Sequence, residues 1–314
     1  QNCPDARIVW AVHRQFASVL PGKPYIDDVI YVDKKRLKSL SYWMELRKTL
    51  HPYHFDLCLD LQGLAKSAIV AFLSGAKEKY GYWEMREGSF LVSKGLVGAH
   101  KYDHVIERYL DTIRALGGRV DDLVFPLPDI MAEKEAWRQR LLQDGLKGPY
   151  IAVVPGARWN VKEWPLDHWS RFLKRLTDKG LSAVILGGND DREKGRRLKE
   201  QDASGLVFDY TGKTDLRQLM AAIDESLVYL SADTGPLHIA NALKKELIAL
   251  FGTTSPERTG PYGGQDSAYI HLVISPTSKA TPEEPLVDDP DCMAQITVDT
   301  VWNLFEEVLK KVEP

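Results

Sequence analysis

SADTGPLHIANAL, residues 231–243, carries a buried strand into a helix, and the reading of that junction decides the fold. The apolar run from Leu227 to Leu230 ends in Ser231-Ala232-Asp233, Thr234 and Gly235 turn the chain, and Pro236 opens the helix. Proline suits that place because it gives up an N–H that would be unpaired in any case. In open α/β sheets, ligands collect beyond the carboxyl ends of the strands. A helix that starts there offers unpaired N–H groups and about half a positive charge, which suits an anion and above all a phosphate. Gly235 allows close approach of the backbone, Thr234 can cap the helix or bond a phosphate oxygen, and His238 adds a donor. Singly, Asp233 and Thr234 read as caps and His238 as a helix residue. As a set at the end of a buried strand, they read as a phosphate site. A lone Asp-Thr-Gly does not make an aspartic protease, whose chemistry needs two carboxylates sharing one proton.

The same strand-to-helix junction recurs along the chain. Short apolar or β-branched runs at 7–12, 28–32, 57–62, 151–156, 182–188, 227–233 and 247–252 read as strands. Amphipathic stretches at 64–74, 102–116, 130–145, 166–179, 190–201, 215–223, 236–243 and 297–312 read as helices. Several strands are apolar on both faces, as parallel strands covered by helices on both sides must be. The alternation therefore predicts an α/β fold with parallel sheets. LVFPLPDI (123–130) breaks the pattern with two prolines; a helix follows, and LKGPY leads into a new strand at Ile151. The boundary is expected near residue 148, giving an N-terminal domain 1–148 and a C-terminal domain 149–314 that face a cleft, with the last helix packing back on the first domain. PTSKATPEEPLVDDPDCMAQ (276–295) reads as an irregular surface loop. The first strand comes at once, at Arg7-Ile8-Val9, without the preceding strand and loop that commonly meet phosphate in doubly wound folds.

Composition narrows the class further. A chain of 314 residues that is 44% hydrophobic and 27% charged fits a soluble globular protein of about two domains. Its net charge of −3 gives no push towards nucleic acid. Cys3, Cys58 and Cys292 lie far apart without metal-ligand spacing, which suits a reducing compartment. No apolar run reaches the roughly 20 residues of a membrane span, and no signal peptide is visible. The expected place is the cytoplasm.

Other strand ends carry polar groups too. In VVPGARWNVKEWPLDHW (153–169), Arg158 and Lys162 are cations at the mouth of the second sheet, suited to a diphosphate, while Trp164 and Trp169 read as packing residues. In LGGNDDREKG (186–195), Glu193 or a nearby acid could take ribose hydroxyls or simply complement the helix dipole. YTGKTDLRQL (210–219) offers Thr214 and Asp215 as a cap and a turn that could line a base pocket; it lacks the upstream glycine of a P-loop. LDLQGLAKSA (59–68) brings Asp60, Gln62, Lys66 and Ser67 to a strand end in the first domain. DKKRLK (33–38) either meets an anionic acceptor or is a solvated face.

Together these segments resemble glycosyltransferase family 9, the heptosyltransferases of bacterial lipopolysaccharide core assembly. PGARWNVKEWP, LGGNDDREKG, YTGKTDL, SADTGPLHIANAL and ALFGTTSPERTGPYG carry the resemblance in the second half, and DLCLDLQGLAKSA and YGYWEMREG in the first. The resemblance implies a GT-B fold: two Rossmann-like domains with parallel sheets facing an interdomain cleft, the nucleotide-sugar donor in the second. It implies that Lys162, Asp233, Thr234, Gly235 and His238 meet the donor's diphosphate and sugar, that Thr214 lies by the adenine and that Glu193 meets the ribose; Arg158, which departs from the hydroxyl residue of one subgroup, joins the diphosphate set by its charge alone. On the acceptor side, charge and strand-end placement offer Lys34, Lys35, Arg36, Lys38, Gln62 and Lys66 to hold the phosphorylated lipid A-core that the resemblance implies, with the protein peripheral on the cytoplasmic face of the inner membrane. The family's opening strand and loop, which carry its proposed catalytic base, have no counterpart in the sequence, so no residue is assigned as base.

The implied reaction is inverting glycosyl transfer from an ADP-sugar, with no metal or other cofactor. The leaving diphosphate gathers charge, which the helix at Thr234–Gly235 and Lys162 would stabilise; one well-placed donor is typically worth ~3 kcal/mol of barrier. Two other readings stay open: another nucleotide-sugar enzyme of the same fold, such as an epimerase, which needs no separate acceptor, and a non-catalytic nucleotide-sugar-binding protein.

Overall fold

The chain folds as two α/β units, one ending at Pro128 and the other starting at Asp129, in a computed structural model that describes residues 3–121 and 123–312. In the first unit, β1 (Val9–His13) pairs in parallel with β2 (Asp28–Val32). Helix α1 (Leu40–Leu50) follows, then β3 (Leu57–Asp60), α2 (Ala65–Leu73), β4 (Glu78–Tyr82), β5 (Lys94–Leu96) and α3 (Val105–Ala115), with β3, β4 and β5 forming a parallel sheet of their own. Tyr42, Leu46 and Leu50 recur every fourth residue on α1 and bury against Ile30, Val32, Leu37 and Leu73. That period was readable in LSYWMELRKTL, yet α1, β4 and β5 are absent from the expected elements. The strands β4 and β5 are short and polar (EKYGY, KGL) and announce nothing.

The second unit begins with α4 (Met131–Gln143), so the boundary lies some twenty residues before the expected position near 148. The reason is physical. Trp137 and Leu141 of α4 are buried in the second unit's core, and the Trp137 indole donates to the Tyr150 hydroxyl at 2.8 Å. Lys134 pairs with Asp224 at 2.7 Å and Glu225 at 3.0 Å. The elements then run β6 (Tyr150–Val154), α5 (Leu166–Asp178), β7 (Ser182–Ile185), α6 (Arg192–Glu200), β8 (Val207–Asp209), α7 (Leu216–Asp224), β9 (Val228–Ala232), α8 (Gly235–Ala242), β10 (Leu247–Phe251), the short α9 (Pro256–Thr259), β11 (Ile270–Ile274) and α10 (Val298–Val312).

These strands make one parallel sheet in the order β11-β10-β9-β6-β7-β8. Every residue of β6, β9 and β10 is buried, as two covered faces require. Alternate residues serve two cores: Ile151 and Val153 belong to one, Tyr150, Ala152 and Val154 to the other. The last helix, expected to pack back on the first domain, is seated in its own unit. Its Trp302 and Phe305 rings lie 5.6 and 5.5 Å from Phe172 of α5.

The two units share a topology with one difference. Read from β8, the second sheet has the order third, second, first, fourth, fifth, sixth strand. Among the described residues, the first unit's pieces, β2-β1 and β3-β4-β5, match the third, second, fourth, fifth and sixth places of this order. Among the described residues nothing pairs with the other edges of β1 and β3. Ile8, Trp10 and Leu57 beside these edges are correspondingly exposed. Arg7, just before β1, stacks 5.0 Å from the Tyr53 ring, just before β3, so the two pieces start side by side.

Candidate functional site

In the second unit the connections diverge between neighbouring strands β6 and β9. From β6 the chain moves out to β7 and β8, and from β9 to β10 and β11. Such a switch point opens a crevice at the carboxyl ends of the strands. Two loops meet there, 155–163 after β6 and 233–235 after β9. Lys162 Nζ sits 2.6 Å from Asp233 Oδ2, with the side chains only 15% and 8% exposed. The same ammonium lies 4.8 Å from the exposed Trp159 ring. The Thr253 hydroxyl, beyond β10, holds the Val161 carbonyl at 3.2 Å and so fixes the turn that carries Lys162.

The helix start beside this pair is open. Thr234 stands at the N-cap position in extended conformation but makes no capping bond, and its buried Oγ1 has no hydrogen-bond partner. It is therefore not the cap that the sequence allowed. Gly235 is exposed, its N–H has no acceptor among the described residues, and a Cβ there would meet nothing within 4 Å. Leu237 N–H is bonded to the Thr234 carbonyl at 3.2 Å. Pro236 has no N–H. The Gly235 amide is thus the donor presented at this end, with the Thr234 hydroxyl buried behind it, and His238 is exposed one turn further on. Beneath them the Tyr229 phenol is fully buried, which pushes its ionisation well up.

Two carboxylates shape the neighbouring loops: Glu163, which is not among the expected site residues, and Asp191, one of the acids near Glu193. Glu163 Oε1 accepts the Ala157 N–H at 3.0 Å and also Lys194 Nζ. Asp191 Oδ2 accepts the Gly188 N–H at 2.9 Å, and its Oδ1 lies 3.7 Å from Lys194 Nζ. Asp191 packs so closely on the loop after β6 that a Cβ at Gly156 would stand 1.7 Å from its Oδ1. Lys194 thereby ties the loop after β6 to the loop after β7. The only signals in the sequence were acids within NDDREKG and the Glu next to Lys162.

The other candidates fall as follows. Arg158 is exposed and makes no ion pair among the described residues. Glu193 is exposed and turned along α6 to Arg196 at 2.6 Å, so Asp191 is the acid nearer the strand ends. Thr214 precedes α7, whose N-cap is Asp215, accepting the Gln218 N–H at 2.8 Å. Trp164 and Trp169 are buried packing residues as expected. The candidates Thr214, Glu193, Arg158, Lys162 and Asp233 follow β8, β7, β6 and β9, four adjacent strands, and so line one edge of the sheet. Among the described residues, no three His, Cys, Asp or Glu side chains are grouped as for a metal ion.

In the first unit, Asp60 is a structural residue. Its carboxylate accepts the Gln62 and Gly63 N–H groups and the Ser67 hydroxyl, each at 3.0 Å. That turn leaves Gln62 and Lys66 exposed beyond β3. Lys34, Lys35 and Lys38 are exposed before α1, but Arg36 is not available with them. It pairs with Glu45 at 2.6 Å and stacks on Tyr42.

A family model described as glycosyltransferase family 9 (heptosyltransferase) matches residues 43–286, well over half of the chain. Lipopolysaccharide heptosyltransferase 1 of Pseudomonas aeruginosa is 26% identical over 280 residues, covering 86% of this chain and 76% of that protein. The solved structure of the E. coli ADP-heptose lipopolysaccharide heptosyltransferase II superposes with a TM-score of 0.75 at 24% identity, over 98% of this chain and 91% of that one. An E. coli heptosyltransferase solved with ADP gives 0.74 at 23%, over 97% and 91%. At these identities the superpositions speak for the fold, which is GT-B.

Proposed function

This chain belongs to glycosyltransferase family 9, and from that premise we propose that it moves a heptose from an ADP-sugar to the inner core of lipopolysaccharide, with inversion at the anomeric carbon. The observation that carries the donor side is the Lys162–Asp233 pair set over an open helix start at the switch point. The donor diphosphate takes the Gly235 amide, the Thr234 hydroxyl and Lys162, with Arg158 and His238 at its outer side. Asp233, released from Lys162 by the incoming phosphate, then turns its acceptors to the donor-sugar hydroxyls. The adenosine runs along the loops after β7 and β8, by Thr214 and by Glu193, which exchanges Arg196 for a ribose hydroxyl. As the acceptor hydroxyl attacks, the glycosidic oxygen leaves on the diphosphate. Lys162 and the helix start stabilise the charge that gathers there. A group that removes the acceptor proton is assigned to none of these residues.

In the first unit, Lys34, Lys35, Lys38, Gln62 and Lys66 serve a phosphorylated lipid A-core acceptor, and the protein works at the cytoplasmic face of the inner membrane. Among the described residues no helix is long and apolar enough to cross a membrane. Calorimetric titration with ADP is the direct test. Lys162→Ala removes a charge-assisted contact worth roughly 1.5–3 kcal/mol, a 10- to 100-fold loss of affinity. Unchanged affinity in a folded variant would remove the phosphate role of Lys162. Transfer from ADP-heptose to a heptose-less core, with product analysis, separates transfer from epimerisation.

A further inference from the structure

Helix α1 turns its Tyr42, Leu46 and Leu50 inward, yet its outer side is not simply polar. Leu40 is 72% exposed and Met44, one turn later, 69%. On the helical wheel these two are flanked by Arg47 on one side and Lys48 on the other. Met44, Arg47, Lys48, His51 and Pro52 line an open depression at the end of the helix. Between Asp33 and Lys48 the sequence holds six basic and two acidic side chains, in a chain of net charge −3. One of the two acids, Glu45, is already neutralised by Arg36, and the other, Asp33, is engaged by the Lys35 N–H at 2.9 Å. Lys34, Lys35, Lys38, Arg47 and Lys48 make no ion pair among the described residues.

We propose that this face docks the protein on a bilayer containing anionic phospholipid, with Leu40 and Met44 entering the boundary between headgroups and acyl chains and the surrounding cations meeting lipid phosphates. Apolar side chains standing out between unpaired cations are the signature of a helix lying in that interface. The opposite side of α1 is fixed in the core, so a folded unit docks without ordering anything. A second copy of the chain fits poorly. A two-fold contact would set the same cations against each other, and two aliphatic side chains fall far short of the ~800 Å² per partner of a stable interface. Single-stranded nucleic acid would want aromatic stacking platforms, whereas the outward side chains here are aliphatic. The surface deepens the reading above, resting on a lipid-borne acceptor for its purpose.

The test is flotation of the full chain with vesicles of phosphatidylcholine, with and without phosphatidylglycerol, alongside ADP titration of each variant. Binding to the mixed vesicles only, weakened by salt, is expected. Each cation near an anionic surface contributes roughly fivefold, so the double variant Arg47→Ala/Lys48→Ala should bind about 25-fold more weakly. Leu40→Ser/Met44→Ser should also lose binding, and both variants should keep the wild-type ADP affinity. Equal vesicle binding by wild type and the charge variant overturns the proposal. So does binding of an oligonucleotide, but not of vesicles, through the same side chains. Loss of ADP binding with vesicle binding intact would count against the donor site alone.

Discussion

Two glycines near the switch point show how differently one residue type can serve. A side chain at Gly156 would drive into the Asp191 carboxylate at 1.7 Å, whereas one at Gly235 would meet nothing within 4 Å. Gly156 is needed by the protein itself, because the Asp191 carboxylate that packs on it is held there by the Gly188 N–H and Lys194. Gly235 is not needed by the fold, and its backbone is not in the left-handed region. Gly235→Val is therefore expected to leave thermal stability within ~0.5 kcal/mol of wild type, as surface substitutions usually do, while abolishing ADP binding. Gly156→Ala should lower stability measurably. A Gly235→Val protein that binds ADP normally would show that the phosphates lie elsewhere than at this helix start. Asp233, Thr234, Gly235 and Lys162 are legible as candidates because each follows a strand in a recognisable motif. The sequence alone does not pair Lys162 with Asp233, 71 residues apart, since which strands neighbour each other is fixed by the sheet order and not by local sequence. In the proposed site that pairing gives the carboxylate a use beside a diphosphate: it holds the lysine in place.

At the scale of elements, α4 is the instructive case. Its sequence reads as a helix on either side of the expected boundary, and its ownership is decided by tertiary contacts: Trp137 in the core, and ion pairs to the end of α7. Burial pushes the Glu225 carboxyl up, but hydrogen bonds from Arg138 and Lys134 outweigh this and hold it below the ordinary carboxylate range. Its contribution is therefore complete above the unfolded value near 4.3 and is lost as pH falls through the lower folded value. Glu225→Gln should destabilise the second unit by about 1 kcal/mol at neutral pH, and by progressively less as pH drops below ~4. Urea midpoints at a series of pH values check this; a constant difference between variant and wild type down to acid pH would mean that the carboxylate's charge is immaterial to docking α4. The strands show the complementary lesson. β6, β9 and β10 were legible because full burial demands uninterrupted apolar runs. β4, β5 and β8 escaped because three to five residues with mixed polarity carry no period.

Across the whole molecule, the α/β class, the parallel sheets and the family could be read from the chain, because strand–helix alternation and the strand-end motifs are local. The seat of the last helix could not, since the apolar face of α10 would suit any exposed sheet; Phe172 of α5 supplies the surface it chose. The two units differ in what holds them. Among the described residues, the second has a continuous six-stranded sheet between two cores, while the first has sheets of two and three strands with unpaired edges and one smaller core. Unpaired edges and thin burial lower the cost of opening. Heating should therefore melt the unit ending at Pro128 first and the unit starting at Asp129 later, as two calorimetric transitions. The proposed ADP site belongs wholly to the second unit. A ligand at 100 times its dissociation constant stabilises the state it binds by about 2.7 kcal/mol. For a unit of this size that corresponds to roughly 5–10 °C. ADP should accordingly raise the later transition by that amount and leave the earlier one in place. If ADP instead raises the first transition, or both by equal amounts, then the nucleotide is bound by more of the chain than the loops after β6, β7, β8 and β9.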